Sequence, residues 1–167
     1  MNKFKNTKRE AFLNNIPCIS IDDVSNNLAK RCKFNFSYMD FSQSAGQKFE
    51  DWSKEQLSKL LNKLHDYGKE SLKYWKSQKI NSGRAKQNVL EVYDKFPNRT
   101  DFTRPKHIPH QALWARFRLE RMVRLIGFVL PESYHQKKHL GTKEFYDCNT
   151  FYVVFLDANH KFYITKK

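Results

Sequence analysis

The sequence contains few cysteines and glycines, and their scarcity excludes several kinds of site. Its three cysteines, Cys18, Cys32 and Cys148, are odd in number and far apart, so they form neither a disulfide framework nor a paired-cysteine metal site. Five glycines in 167 residues leave no glycine-rich loop that could cradle a nucleotide phosphate. The GxSxG and HExxH motifs and a paired-carboxylate motif are also missing. The sequence therefore predicts no cofactor and no metal.

Long apolar runs are missing as well. No stretch approaches the roughly 18 residues that a membrane-spanning helix requires. The charged N-terminal residues are not followed by the apolar segment of a signal peptide. Cysteines without a pairing pattern are typical of a reducing compartment. These observations predict a cytoplasmic protein with no membrane partner.

Acidic residues are scarce relative to basic ones. The chain has 17 Asp and Glu against 31 Lys and Arg, which gives a net charge of +14 and an isoelectric point near 9.7. A charge of this size favours a polyanionic partner such as nucleic acid, and it equally suits an acidic protein partner. Charge alone does not separate these two possibilities.

Length and the order of the predicted elements indicate one domain of the α+β class. A chain of 167 residues normally forms a single domain, and here the helical patterns come early and the strand patterns come late. We interpret residues 1–33 as an N-terminal extension and residues 34–167 as the domain, with an insert at about 77–111. The expected architecture is an antiparallel sheet with an early αα-hairpin packed on one face.

The clearest helix follows Ser53. Ser53 and Gln56 have the spacing of a capping box. An apolar stripe with the spacing i, i+3, i+4 and i+7 comes next, formed by Leu57, Leu60, Leu61 and Leu64. Gly68 suits the position that ends the helix, and a second helix is predicted to start at Lys69.

The C-terminal part of the chain predicts a β-meander. Residues 113–120 and 122–129 alternate between two sets of side chains, which is the pattern of strands with one buried face. A reversal near Glu120 and Arg121 would pair these two strands. Residues 151–156 are continuously β-branched, aromatic or aliphatic, so they predict a strand that is buried on both faces.

The other segments carry weaker patterns. Residues 34–41 alternate aromatic and polar side chains and predict a first strand. Within the insert, residues 77–84 are expected to form a basic loop and residues 87–96 a helix. Residues 131–149 form a long loop without periodicity, and residues 161–165 predict a short final strand.

Three arginines could share one face of the predicted sheet. Arg116 and Arg118 lie at alternate positions of one strand, and Arg124 faces them if the reversal is placed as above. Several permanently charged guanidinium groups on a rigid surface are suited to bind phosphodiesters. The alternative is a solvated basic face, or arginines paired with carboxylates such as those of Glu120 and Asp157.

A second group of candidate residues lies in the turn after the last long strand. Histidine titrates near neutral pH, so His160, assisted by Lys161 and Tyr163, could drive attack of a ribose 2′-OH on the adjacent phosphate. Arginine would stabilise the charge of the transition state without a metal. The alternative is that His160 has only a structural role in the turn.

A basic loop precedes the strands. It contains Lys106, His107 and His110, which we expect to contact phosphate beside the sheet face. A metal site at the two histidines would need cysteine or carboxylate companions, and the sequence supplies none nearby. Trp114 is a candidate for stacking on a base, with packing in the core as the alternative.

These elements resemble the RelE/ParE superfamily of toxins from bacterial toxin–antitoxin systems. The resemblance covers roughly residues 34–165 and lies in the order strand, helix, helix and three strands. It includes Arg124-Leu-Ile-Gly-Phe128, Phe151-Tyr-Val-Val-Phe-Leu-Asp157 and His160-Lys-Phe-Tyr163, which are similar to the closing strands of such toxins. The chain departs from the family in being far longer than the usual toxin.

The resemblance implies a metal-independent endoribonuclease that cleaves mRNA at the ribosome and is neutralised by an acidic antitoxin. By position, Arg118 and Arg124 would stabilise the phosphate. His160 or Tyr163 would transfer the proton, and Lys106 and Lys161 would assist. ParE-like members keep the fold but inhibit gyrase, and a non-catalytic module that binds nucleic acid or protein is a further alternative.

Overall fold

The protein is described by a computed structural model, which covers residues 7–16, 20–23, 25–82, 85–120 and 122–164. Its described helices are α1 (Thr7–Asn14), α2 (Lys54–Tyr67) and α3 (Leu72–Ser77), with 3₁₀ turns at Leu28–Lys30, Phe49–Asp51 and Glu132–Tyr134. Among them, no helix is long and apolar enough to cross a membrane.

Most of the described strands form one sheet, in the order β1-β7-β6-β5-β4, and β2 and β3 form a separate hairpin. The strands are β1 (Lys33–Asn35), β2 (Lys79–Ser82), β3 (Ala85–Asn88), β4 (Leu90–Val92), β5 (Leu113–Arg118), β6 (Arg124–Val129) and β7 (Thr150–Asp157). The α+β class is therefore confirmed.

The sheet is mixed, and the prediction of an antiparallel sheet is wrong for its first strand. β1 runs parallel to β7, with Lys33 opposite Thr150, whereas the other pairs of the sheet are antiparallel. A parallel pair needs a long crossover connection, and the chain between β1 and β7 provides one. The main sheet has five strands, so the predicted order β-α-α-β-β-β is not reproduced.

The capping box that the sequence predicts for α2 is present. The side chain of Ser53 accepts a hydrogen bond from the backbone N–H of Gln56, and the Gln56 side chain accepts one from the N–H of Ser53. Gly68 caps the other end in a right-handed conformation. The second helix begins at Leu72 because Ser71 caps it, and not at Lys69 as predicted.

The two helices pack on one face of the sheet and anchor the end of β5. Their buried residues Leu60, Tyr67 and Leu72 share a core with sheet residues that include Ala115, Phe117, Leu125 and Phe151. The Tyr67 ring stacks on Phe117 with centroids 4.7 Å apart, and its hydroxyl donates a hydrogen bond to the carbonyl of Arg118. The two predicted helices are therefore present, and both pack on the same face of the sheet.

The opposite face of the sheet is covered by chain without regular structure. Phe102, Ile108 and Phe162 pack there on the strand residues Trp114, Ile126, Phe128 and Phe155. Trp114 is only 1 % exposed, and its ring lies 4.8 Å from that of Phe96. The prediction that Trp114 could stack on a base is wrong, because its ring belongs to this second core.

The insert is more regular than the sequence suggests. Residues 77–84 and 87–96, predicted as a loop and a helix, contain β2, β3 and β4 instead. β4 adds to the edge of β5, where Leu90 lies opposite Phe117 and is 1 % exposed. Pairing with the sheet and burial of Leu90 override the weak helical pattern.

Several other segments form less regular structure than predicted. The first strand is limited to Lys33–Asn35, rather than 34–41. Residues 161–164 do not form a strand, because the chain turns there around the side chain of Asp157. β5 and β6 pair as predicted, and the chain reverses between Arg118 and Arg124. The sequence places the reversal near Glu120 and Arg121, and Arg121 lies outside the described residues.

Gly127 permits a close approach between β6 and β7. The register shifts next to Gly127, and a Cβ atom there would lie 2.7 Å from Cε1 of Phe151 and closer still to the carbonyl oxygen of Tyr152. Real Cβ atoms do not approach backbone this closely. No side chain other than hydrogen fits without a shift of the two strands.

We therefore expect Gly127→Ala to lower the free energy of unfolding by about 1–3 kcal/mol or more, because overpacking forces the strands apart. Urea denaturation measures this change. Gly141→Ala is the matched control: its Cβ would meet only the His139 side chain, at 3.3 Å, in an exposed loop. Equal stability of the Gly127→Ala variant and the wild type would contradict this packing.

Candidate functional site

The structure brings the three predicted arginines onto one face of the sheet. Arg116 and Arg118 alternate with buried apolar residues of β5, so their side chains lie on the face opposite the helices. Arg118 lies directly opposite Arg124 of β6. Together with His160 these residues form what we term the arginine–histidine face (Arg116, Arg118, Arg124 and His160).

The arginines differ in their exposure. Arg116 is half-buried, whereas Arg118 is 7 % exposed and Arg124 is 2 % exposed. Arg116 therefore offers the guanidinium group that a ligand reaches most easily. Arg118 and Arg124 lie behind it and contribute mainly through their charge.

Arg118 is a buried cation without an acidic partner in the described chain. Within the described ranges, no carboxylate lies within 4.0 Å of its guanidinium group or of that of Arg116. The Nε atom of Arg118 is also buried without a hydrogen-bond partner among these residues. Glu91 faces Arg116 across the strands, but its carboxylate accepts a hydrogen bond from Asn88 at 2.9 Å. Burial, followed by the charge of Arg116, lowers the pKa of Arg118.

Arg124 closes the turn between β5 and β6. Its Nη1 atom donates hydrogen bonds to the carbonyl oxygens of Glu120 and Val123, both at 2.8 Å. Burial lowers the pKa of Arg124 to about 10, and the neighbouring charges of Arg118 and Arg116 contribute in the same direction. The structure thus places Arg124 where it positions the turn, and not at the open surface.

Asp157 organises the turn that carries His160. It lies opposite Arg124 at the end of β7 and is fully buried. Its carboxylate accepts hydrogen bonds from the backbone N–H groups of Asn159 (3.1 Å), Lys161 (3.0 Å) and Phe162 (2.9 Å). His160 sits between these anchored residues in the left-handed conformation, with φ of 57°.

His160 contacts Arg116. The Nε2 atom of His160 lies 3.3 Å from Nη1 of Arg116, so a neutral imidazole can accept a hydrogen bond from the guanidinium group. Burial lowers the pKa of His160, and the charges of Arg124 and Arg116 lower it further, whereas a backbone hydrogen bond and Asp157 oppose this effect. A lowered pKa favours the neutral imidazole, which is the form that can accept this hydrogen bond from Arg116.

Two tyrosines flank the arginine–histidine face. Tyr93 and Tyr163 stack with ring centroids 5.3 Å apart and an interplanar angle of 5°, and Cζ of Arg116 lies 5.9 Å from the centroid of Tyr93. The Tyr93 hydroxyl is buried without a hydrogen-bond partner in the described ranges, and burial raises its pKa to about 12.

Sequence reasoning missed Tyr93 because its segment was interpreted as a helix. In β4, Glu91 lies opposite Arg116, and Tyr93 follows two residues later on the same face. From Leu90 to Tyr93, apolar and polar or aromatic side chains alternate, and this pattern could have predicted a strand with Tyr93 on the same face as Glu91.

The structure does not bring the basic loop to this end of the sheet. His107 stacks on Tyr38 at 6.2 Å, and its Nε2 atom lies 3.3 Å from the Tyr38 carbonyl oxygen. Tyr38 in turn packs on Phe128, which is four residues from Arg124 along β6, or roughly 13 Å away. Lys106 and His110 are exposed residues of the same loop, whereas Lys161 follows His160 directly in the turn.

Other chemistry is not apparent in the described part of the chain. No group of three or more His, Cys, Asp or Glu residues there could hold a metal ion. Comparison with known proteins adds no assignment: no family model matches the chain, and no curated protein or solved structure matches it significantly.

The contact between Arg116 and His160 has a measurable consequence. We expect His160 to titrate below pH 6.5 in the wild type, and Arg116→Gln to raise this pKa because it removes a neighbouring positive charge. NMR titration of the His160 imidazole measures both values. Lys54→Gln, at the exposed start of α2 on the opposite side of the sheet, should leave the titration unchanged. An unchanged pKa in Arg116→Gln would refute the contact.

Proposed function

We propose that the arginine–histidine face binds an RNA phosphodiester and cleaves it without a metal. The observation that carries this proposal is the 3.3 Å contact between His160 and Arg116, next to an Arg118 guanidinium group that has no carboxylate within 4.0 Å among the described residues. A base and unneutralised cations are thus adjacent on one rigid surface.

The cations suit an anionic ligand that can approach the open side of the face. A guanidinium group offers several N–H donors in a planar fork that matches phosphate oxygens. Arg116 is half-buried and reachable, and Arg118 adds a second positive charge behind it. In a partly desolvated site these charges act more strongly than they would in water.

The neutral imidazole suits the first step of RNA cleavage. When the Arg116 guanidinium group turns to the phosphate it frees Nε2 of His160, which takes the proton of a ribose 2′-OH while the 2′-oxygen attacks the adjacent phosphorus. The bond from phosphorus to the 5′-oxygen breaks, and the leaving oxygen takes a proton from water. The imidazolium returns its proton to the hydroxide that this step forms. The products are a 2′,3′-cyclic phosphate and a 5′-hydroxyl, and the arginines stabilise the charge that develops on the phosphate oxygens.

The resemblance to RelE-like toxins extends this proposal to a biological substrate and a partner. It suggests mRNA, cleaved at the ribosome, and an acidic antitoxin that neutralises the basic chain. The net charge of +14 suits both partners. Two alternatives belong to other classes: a basic module that binds nucleic acid or protein without cleaving it, and a ParE-like inhibitor of gyrase.

Cleavage should depend on single residues of the face. We expect His160→Gln to slow cleavage about 10²- to 10⁴-fold, because the base is lost, and Arg116→Gln about 10²- to 10³-fold, because a charge that stabilises the transition state is lost. Primer extension on mRNA in a bacterial translation extract detects cuts in both free and ribosome-bound RNA. EDTA should not prevent the cuts in free RNA; it cannot be applied to the ribosome-bound RNA, because ribosomes need Mg²⁺ to stay assembled.

Lys54→Gln is the control for charge, since it removes one positive charge on the helical side of the sheet. It should cleave as the wild type does. Intact mRNA with the soluble wild-type protein would refute the ribonuclease. A similar loss of RNA binding in Arg116→Gln and Lys54→Gln, with strong salt dependence and no cleavage, would favour the binding module. Loss of negative supercoiling in plasmid DNA with intact mRNA would favour the gyrase inhibitor.

The pH dependence of cleavage should report His160. The base acts only when it is unprotonated, so the rate falls as the pH drops through its pKa. Because that pKa is lowered from 6.5, we expect the midpoint of the acid limb below pH 6.5. Single-turnover rates on the RNA that proves to be cleaved measure it. An acid limb that persists in the residual cleavage by His160→Gln would exclude His160 as the base.

A further inference from the structure

The stacked tyrosines form a flat, partly exposed aromatic surface. Their rings are nearly parallel, with an interplanar angle of 5° and centroids 5.3 Å apart. The Tyr93 hydroxyl is buried, whereas Tyr163 is 40 % exposed. Tyr93 is therefore the inner member of the pair, and Tyr163 is the more exposed one.

The backbone on both sides of Tyr163 is held in place. The carbonyl oxygen of Lys161 accepts a hydrogen bond from the N–H of Asp101 at 3.1 Å, and the N–H of Ile164 donates one to Arg99 at 3.0 Å. Phe162 is 1 % exposed and packs in the second core. The backbone that carries Tyr163 is thus fixed by hydrogen bonds on both sides, whereas the Tyr163 residue itself remains partly exposed.

This aromatic pair adjoins the charged groups directly. Arg116 contacts Tyr93 through its guanidinium group, at 5.9 Å from the ring centroid, and contacts His160 through Nη1 at 3.3 Å. One arginine therefore links the ring pair to the base. A phosphate held by Arg116 would therefore lie next to Tyr93, the inner ring of the pair.

We infer that Tyr163 is a stacking platform for an unpaired nucleobase, so that the arginine–histidine face selects single-stranded RNA. The inference rests on the proposed function and names its substrate class. A base in a duplex has both faces covered by neighbouring base pairs, whereas an unpaired base can turn out and stack on an aromatic ring. Tyr163 then acts through its ring and not through proton transfer by its hydroxyl.

Two variants separate the ring from the hydroxyl. Tyr163→Phe keeps the aromatic face, and Tyr163→Leu removes it while keeping an apolar side chain. Binding to a fluorescein-labelled, fully 2′-O-methylated oligonucleotide, which cannot be cleaved at the 2′-position, is measured by fluorescence anisotropy. The same strand annealed to its complement provides the duplex.

We expect Tyr163→Leu to weaken single-strand binding about 5- to 150-fold, the range for one stacked base, and to leave duplex binding within twofold. Tyr163→Phe should bind both as the wild type does. Equal losses for single strand and duplex in Tyr163→Leu, or a loss in Tyr163→Phe equal to that in Tyr163→Leu, would overturn the platform. Thermal melting checks that each variant is folded.

A change in the ligand tests the same contact without altering the protein. Single abasic residues are placed at successive positions of the oligonucleotide, and wild-type binding is measured for each. One position should lose about 5-fold or more while the others change little. A uniform profile would overturn the platform even if Tyr163→Leu did not fold.

The outcomes distinguish this inference from the proposed function. Loss of cleavage in His160→Gln with unchanged binding in Tyr163→Leu would leave the ribonuclease standing and remove the platform. Selective loss of single-strand binding in Tyr163→Leu, with no cleavage by the wild type, would leave a single-strand-binding module and remove the ribonuclease.

Discussion

The carboxylate of Asp157 is the group on which the arrangement of this face depends. It is fully buried, accepts three backbone N–H groups of the following turn, and lies opposite Arg124 at the end of the sheet. A buried charge is tolerated only where hydrogen bonds and opposite charges replace its hydration. The three N–H groups replace part of the hydration of the Asp157 carboxylate. They also fix the backbone of the turn, which places His160 next to Arg116.

Two anchors from opposite sides hold the arginines in position. From the helical side, the Tyr67 hydroxyl binds the carbonyl of Arg118, and the Tyr67 ring stacks behind it on Phe117. From the other side, Arg124 closes the β5–β6 turn through two carbonyl oxygens. The strands therefore hold these charges in fixed positions on the sheet.

The sequence predicted the parts of the fold that follow from local rules. The capping box at Ser53 and the alternation along β5, which places Arg116 and Arg118 on one face, are local and are present. β4 and the coverage of the second face depend on distant partners, because Leu90 pairs with β5 and Phe102 packs across the sheet. The alternation from Leu90 could place Tyr93 on a strand, but no local pattern shows that this strand pairs with β5 or that Trp114 is buried.

The uncompensated charge also ties the folding of the chain to its ligands. Arg116 and Arg118 repel each other, and neither has a carboxylate within 4.0 Å in the described ranges. The native state therefore contains repulsion between these two charges, and this repulsion is smaller in the unfolded state. A polyanion bound at this face would offset the repulsion. A ligand that binds the native state only, at 100 times its dissociation constant, adds about 2.7 kcal/mol to the free energy of unfolding, so charges that lower the stability of the free protein would raise it again on binding.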